Sequence, residues 1–176
     1  MNSRSLLSGH ASGHSLVSAP GYAGMSELKI LPLCEAQAHL ETVTDWLWQA
    51  FGSENSRPFF ASIMTSSLSG ADLPLTWVAL DGEKAVGTAG LWRCDLISRQ
   101  DLFPWLAALY VDESYRGRGL SEKLQQRVMA ESRLRGFADL YLYSACADYY
   151  ERFGWRYCGD ALDYPDITVR LYHQTL

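Results

Sequence analysis

Three things are scarce in this chain, and each scarcity removes a class of protein. No apolar run approaches the roughly 18 residues needed to cross a bilayer, so no transmembrane helix is expected. Cysteine is sparse: Cys34, Cys94, Cys146 and Cys158 lie far apart, with no Cys-x-x-Cys pair and no histidine cluster nearby. That spacing suits reduced thiols in a cytoplasmic protein, and argues against a metal site or a disulfide scaffold. Positive charge is also short, with 15 Lys and Arg against 20 Asp and Glu and a net charge of −5. An acidic protein is a poor match for a phosphate backbone, so nucleic acid is not expected as a partner.

What is present reads as one globular domain. The 176 residues are 48% hydrophobic and 20% charged, enough to close a single core. Met1 to Gly24 differ in kind, being rich in Ser, Gly and Ala with one arginine and no acid. No apolar core follows a basic start there, which speaks against a secretory signal. The expected organisation is a flexible leader or appended extension over residues 1–24 and a single domain over 25–176.

Periodicity supplies the elements. Leu28 to Leu33 suits a first strand stopped by Pro32. Glu35 to Phe51 and Arg57 to Leu68 carry apolar residues at three- and four-residue spacing, predicting two helices. Leu75 to Leu80 and Ala85 to Arg93 flank Asp81-Gly82-Glu83-Lys84, a hairpin signal, and a loop follows over Cys94 to Pro104. Trp105 to Val111 is continuously apolar, as a central strand covered on both faces should be. A helix then places Leu120, Leu124, Val128 and Met129 on its inner side, with Gln125 among the residues expected to face solvent. Gly136 stops that helix, Asp139 to Tyr143 forms a strand, Tyr150 to Phe153 a short helix ended by Gly154, and Asp166 to Tyr172 closes the sheet.

The most informative segment is Tyr110-Val-Asp-Glu-Ser-Tyr-Arg116-Gly-Arg-Gly119-Leu-Ser121. A strand runs through a glycine-bearing loop directly into a helix, which leaves backbone N–H groups unpaired at the positive end of the helix dipole. With Arg116 and Arg118 alongside, this is an anion site suited to phosphate or pyrophosphate. The two common nucleotide loops do not fit. No Lys follows Gly119 as a Walker loop requires, and Gly117-Arg-Gly119 lacks the third glycine of a dinucleotide fingerprint.

The segment does resemble the pyrophosphate loop of the GCN5-related N-acetyltransferase (GNAT) family, Gln/Arg-x-x-Gly-x-Gly/Ala, matched by Arg116-Gly117-Arg118-Gly119-Leu120-Ser121. Ser121 departs from the small Gly or Ala of that pattern. Downstream, Asp148-Tyr149-Tyr150-Glu151-Arg152-Phe153-Gly154-Trp155 looks like the family's Phe-Tyr-x-x-(Leu/Phe)-Gly-aromatic segment, with Tyr149 in the Phe place. The resemblance covers Glu27 to Leu176 and is specific from Leu106 to Trp155.

That resemblance implies an α/β (α+β) fold: a mixed, mostly antiparallel twisted sheet of six to seven strands with about four flanking helices. It implies acetyl transfer from acetyl-CoA, without a metal, to a primary amine on a small molecule or a peptide N-terminus. A CoA-binding regulatory module of the same fold without catalysis is the alternative, and a homodimer is common among look-alikes. The positions it assigns to the cofactor are Leu109, Tyr110 and Val111 on the strand, and Arg116, Gly117, Arg118, Gly119, Leu120 and Ser121 in the loop. In the family that strand carries a bulge and splays from its neighbour. Tyr150 takes the place of the tyrosine that protonates the leaving sulfur, and a phenol of ordinary pKa near 10 carries its proton at neutral pH. No base is assigned; Asp95, Asp101, Asp148 and Asp163 are candidates by loop position, and His173 reads as structural. Acceptor contacts are expected from the first two helices, the loop before the central strand and the last hairpin, which hold Trp46, Trp48, Phe51, Phe59, Phe60, Trp92, Phe103, Trp105 and Tyr164; most of these are expected in the core and a few along a pocket or peptide groove.

Overall fold

In the computed structural model, the described residues run from Leu28 to Leu176, and the expected leader lies outside them. The elements are β1 (Leu28–Pro32), α1 (Leu40–Phe51), α2 (Arg57–Ser66), β2 (Leu75–Asp81), β3 (Lys84–Trp92), β4 (Trp105–Val111), α3 (Leu120–Leu134), β5 (Asp139–Ser144), β6 (Arg156–Asp163) and β7 (Ile167–Thr175). The first helix starts later than its periodicity suggests. Two 3-10 turns, Leu33–Glu35 and Gln37–His39, come first, because Ala36 adopts φ −135° and ψ 42°, outside helical space. The short helix after β5 is a 3-10 turn, Tyr150–Phe153, closed by Gly154 at φ 86°.

Among the described residues, seven strands join one sheet in the order β1-β2-β3-β4-β5-β7-β6. Every neighbouring pair is antiparallel except β4 and β5, which are joined by the crossover helix α3. The expected mixed, mostly antiparallel sheet is therefore what forms. The late hairpin β6–β7 is less legible, because β6 alternates exposed and half-buried residues at a sheet edge.

Helix α3 covers one face, where Leu120, Leu124 and Val128 pack against Trp77, Val86, Leu109 and Leu140. Each such aliphatic side chain contributes roughly 1.5–3 kcal/mol by burial. Helices α1 and α2 cover the first half of the opposite face through Val43, Leu47, Phe51, Phe60 and Met64. The β3–β4 loop covers the rest of it, burying Leu96 against Trp105, Tyr143 and Leu171. The loop is held to the last hairpin by a hydrogen bond that the Ser98 hydroxyl donates to the Leu162 carbonyl.

Gln125 corrects the solvent face read for α3. Its side chain is 0% exposed, because its amide oxygen accepts from the Trp155 indole at 2.9 Å and its amide nitrogen donates to Ser121 at 3.2 Å. A buried amide with both ends engaged carries no desolvation penalty that would push it outward.

Candidate active site

The sheet forks beside a bulge. β4 and β5 pair only at Trp105 opposite Tyr141, with the Tyr141 amide donating to the Pro104 carbonyl at 3.1 Å, and then diverge. On the other side of β4 the ladder slips by one residue: Ala107 faces Gly90 and Tyr110 faces Thr88. Ala108 and Leu109 together oppose Ala89, which makes a β-bulge, and Ala108 takes φ 53°. The extra residue turns both Ala107 and Ala108 toward the α1–α2 layer while Leu106, Leu109 and Val111 face α3. A bulge at the edge of a fork releases ladder N–H and C=O groups that an extended ligand can pair with. The fork holds a narrow cleft of about 20 Å³, whose lining includes Phe51, Asp95, Ala107, Ala108, Leu109, Tyr143 and Tyr150.

The anion loop opens α3 at the same fork. Gly117 and Gly119 sit at φ 74° and 77°, and a Cβ on either would meet nothing within 4 Å, so the loop borders open space. Among the described residues, no hydrogen bond engages the amides of Gly117 to Ser121. Four or more N–H groups at a helix entrance, beside the dipole's positive end, suit a diphosphate. The arginine side chains turn elsewhere. Arg116 donates its Nε to the Val111 carbonyl at 3.0 Å and lies 5.7 Å from the Tyr110 ring centre, while Arg118 stacks over Tyr115 at 5.0 Å. The fixed donors of the loop are thus its backbone amides.

Tyr150 reaches the cleft from the 3-10 turn and is 1% exposed. Its ring packs edge-on to Tyr149 at 4.9 Å, and against Tyr172 at 5.8 Å and Trp155 at 6.4 Å. Behind it, the Tyr172 hydroxyl accepts from Arg170 Nε at 3.0 Å and lies within donating distance of Glu151 Oε1 (3.0 Å) and the Cys146 carbonyl (3.1 Å). Burial, ahead of these partners, pushes the Tyr172 phenol pKa up. This network pins the turn that carries Tyr150 to β7.

Loop and turn are joined by a second chain. Tyr149 donates its hydroxyl to Ser121 Oγ at 2.7 Å, Gln125 donates to the same oxygen, and Trp155 donates to Gln125. Both acceptor positions of Ser121 Oγ are then taken, so its remaining capacity is its own O–H, a donor compatible with an anion.

Of the four carboxylates considered as bases, the fold brings one to the cleft wall: Asp95, on the β3–β4 loop. Asp101 is paired bidentately with Arg99 at 2.8 and 2.9 Å, and Asp148 is exposed. Asp163 is buried at the end of β6, where Oδ1 accepts the Tyr164 amide at 3.0 Å. His173 pairs with Asp139 at 2.6 Å across β5 and β7, in keeping with a structural role. Phe51, expected among the acceptor aromatics, and Tyr143, absent from the expected site, complete the cleft; no local motif marks Tyr143, because the elements that line the cleft meet only in the folded sheet. Among the described residues no cluster of three or more metal-ligating side chains occurs.

A forked seven-stranded sheet with a bulged strand leading into an amide-rich helix entrance defines an acetyltransferase-type α+β domain. The sequence matches the acetyltransferase (GNAT) family over residues 40–155, most of the chain, and the protein belongs to that family. Solved structures share the fold. An acetyltransferase from Streptococcus agalactiae is 22% identical, with 86% of this chain and 99% of that one covered and a TM-score of 0.66. An N-acetyltransferase from Staphylococcus aureus is 15% identical over 85% and 99%, with a TM-score of 0.67. A GNAT family acetyltransferase from Elizabethkingia anophelis, solved with acetyl-CoA bound, is 15% identical over 86% and 99%, with a TM-score of 0.62. No curated protein matches the chain significantly.

Proposed function

We propose that this protein transfers an acetyl group from acetyl-CoA to a primary amine by direct attack in a ternary complex. The observation that carries the reading is the meeting, in one cleft at the β4/β5 fork, of the bulged backbone at Ala107–Leu109 and the Tyr150 side chain. The unengaged amides of Gly117 to Ser121 and the open space beside Gly117 and Gly119 fit the diphosphate of CoA. In this reading the backbone of Leu109, Tyr110 and Val111 pairs with the pantetheine arm, and an N–H of the bulge faces the thioester oxygen as negative charge develops there. The acetyl-CoA bound to the Elizabethkingia relative supports the same cosubstrate.

In this mechanism the amine lone pair attacks the thioester carbonyl carbon. A C–N bond forms, the C–S bond breaks, the nitrogen loses one proton and the sulfur gains one from the Tyr150 hydroxyl. Tyr150→Phe keeps the ring and its packing while removing that proton. Thiol release with an amine panel should fall about 100-fold or more, with calorimetric CoA binding retained. Unchanged turnover would remove Tyr150 from the mechanism. CoA binding with no acetylation of any amine by the native protein would favour the non-catalytic module instead.

A further inference from the structure

A second hollow lies against the reaction cleft. It measures about 410 Å³ and sits between the α1–α2 turn and the β6–β7 turn, walled by Phe51, Phe59, Phe60, Tyr164 and Pro165. Phe51 lines both spaces, so the hollow adjoins, across that one side chain, the cleft that holds Tyr150 and Asp95. Its size falls in the range of small-molecule sites, roughly 300–1,000 Å³.

The chemistry of the walls is selective. Three phenylalanines and a tyrosine face the hollow, Tyr164 being 71% exposed, and among the described residues neither lysine nor arginine lines it. The Ser56 hydroxyl and the Ser53 backbone, at the α1–α2 side of the hollow, are engaged with each other. Ser56 Oγ accepts the Ser53 amide at 2.7 Å and donates to the Ser53 carbonyl at 2.9 Å, and the Trp48 indole donates to that same carbonyl at 2.8 Å. A polyhydroxylated or anionic acceptor would lose hydration against the three phenyl rings for few replacement hydrogen bonds. The carboxylate in the adjoining cleft is Asp95, a group that can accept a proton from an attacking amine nitrogen.

We infer that the acceptor is a primary amine carrying an aromatic or similarly large apolar body, seated among Phe59, Phe60 and Tyr164, with its nitrogen in the cleft beside Asp95. This rests on the acetyltransferase reading and specifies its second substrate. Asp95 takes the proton that the nitrogen loses as the C–N bond forms, while Tyr150 supplies the proton that the sulfur gains. Both side chains are restored by proton exchange with water, so the transfer balances.

The test compares 2-phenylethylamine with spermidine and glycinamide, by initial rates of thiol release and by calorimetric binding to the CoA-loaded protein. Phenylethylamine should have the highest kcat/KM. Tyr164→Ala, at an exposed position, should lower it about three- to tenfold through KM and leave spermidine unchanged. Asp95→Asn should lower kcat about 100-fold with little change in KM. Equal rates for all three amines, or a Tyr164→Ala loss shared by all of them, would overturn the apolar class and leave acetyl transfer standing. Phenylethylamine that binds without releasing thiol would overturn acetyl transfer and leave the apolar seat. Phenylethylamine that neither binds nor reacts would overturn the seat itself.

Discussion

Tyr149 donates its hydroxyl to Ser121 Oγ at 2.7 Å, tying the turn that carries Tyr150 to the first turn of α3. These are the two positions at which the sequence departs from the family patterns it resembles, one with a phenol where Phe is usual and one with a hydroxyl where Gly or Ala is usual. The departures meet in space. A hydroxyl added to either partner alone would leave a half-buried polar group to satisfy; together they satisfy each other, and Gln125 extends the chain to Trp155.

A double-mutant cycle tests this pairing. Ser121→Ala and Tyr149→Phe should each destabilise the protein by about 1 kcal/mol in denaturant melts, and the double variant by less than the sum. CoA affinity should weaken more for Ser121→Ala, which also removes the remaining O–H donor at the helix entrance. Additive losses would mean that the two hydroxyls act independently.

The bulge residue offers a backbone test. Ala108 occupies the left-handed region at φ 53°, where an L-residue with a Cβ is disfavoured by roughly 1–2 kcal/mol. Ala108→Gly should therefore be close to neutral in stability, the relieved backbone offsetting the lost methyl burial. Ala108→Val adds branching at a position 8% exposed, and should cost more than about 2 kcal/mol and weaken CoA binding with it. A tolerated valine would show that the bulge is not fixed by its neighbours.

Much of this site was legible from local pattern, and the remainder was not for a definite reason. Trp105 to Val111 shows as a central strand because both its faces are covered, and the glycines after it mark the helix entrance because the backbone turns left-handed there. The bulge has no such signature: an alanine at φ 53° looks like any other alanine in an apolar run. Gln125 reads as a surface residue because its buried partners, Trp155 and Ser121, come from 30 and 4 residues away. Asp95 stands among four equal loop carboxylates until the β3–β4 loop folds over the second half of the sheet and buries Leu96. The hairpin strand β6 was indistinct because it lies at an edge, with one ladder partner.

Alkaline pH should loosen the protein through its phenols. Burial raises the Tyr172 pKa, and a 2.6 Å hydrogen bond to Asp81 raises that of Tyr115. A folded pKa above the unfolded value near 10 means that the folded state holds the proton more tightly. The stabilisation is fully present below pH 10 and lost as pH rises through the folded value. Thermal melts should be level from pH 7 to 9 and fall above about pH 10. Tyr172→Phe should be less stable than the native protein at pH 8, and the gap should narrow by pH 11. A constant gap would show that Tyr172 ionisation is not coupled to folding.

Cys94 provides an internal reporter for the charge on Asp95. Burial raises the Cys94 thiol pKa first, and the neighbouring Asp95 carboxylate raises it further. The reactive species toward iodoacetamide is the thiolate, whose fraction at fixed pH falls as the thiol pKa rises. Removing the negative charge with Asp95→Asn should therefore lower the Cys94 pKa and speed its alkylation at pH 8, by about two- to fivefold for a partly screened neighbour. Cys158 serves as the reference, since burial raises its pKa while Arg99 and Arg156, not Asp95, supply its nearby charge. Its alkylation rate, followed by peptide mass spectrometry in the same sample, should not change. Equal acceleration of both cysteines would indicate general loosening of the β3–β4 loop. No acceleration of Cys94 would mean that Asp95 carries no charge toward it, and the carboxylate proposed to receive the acceptor's proton would then lack the ionised state that role requires.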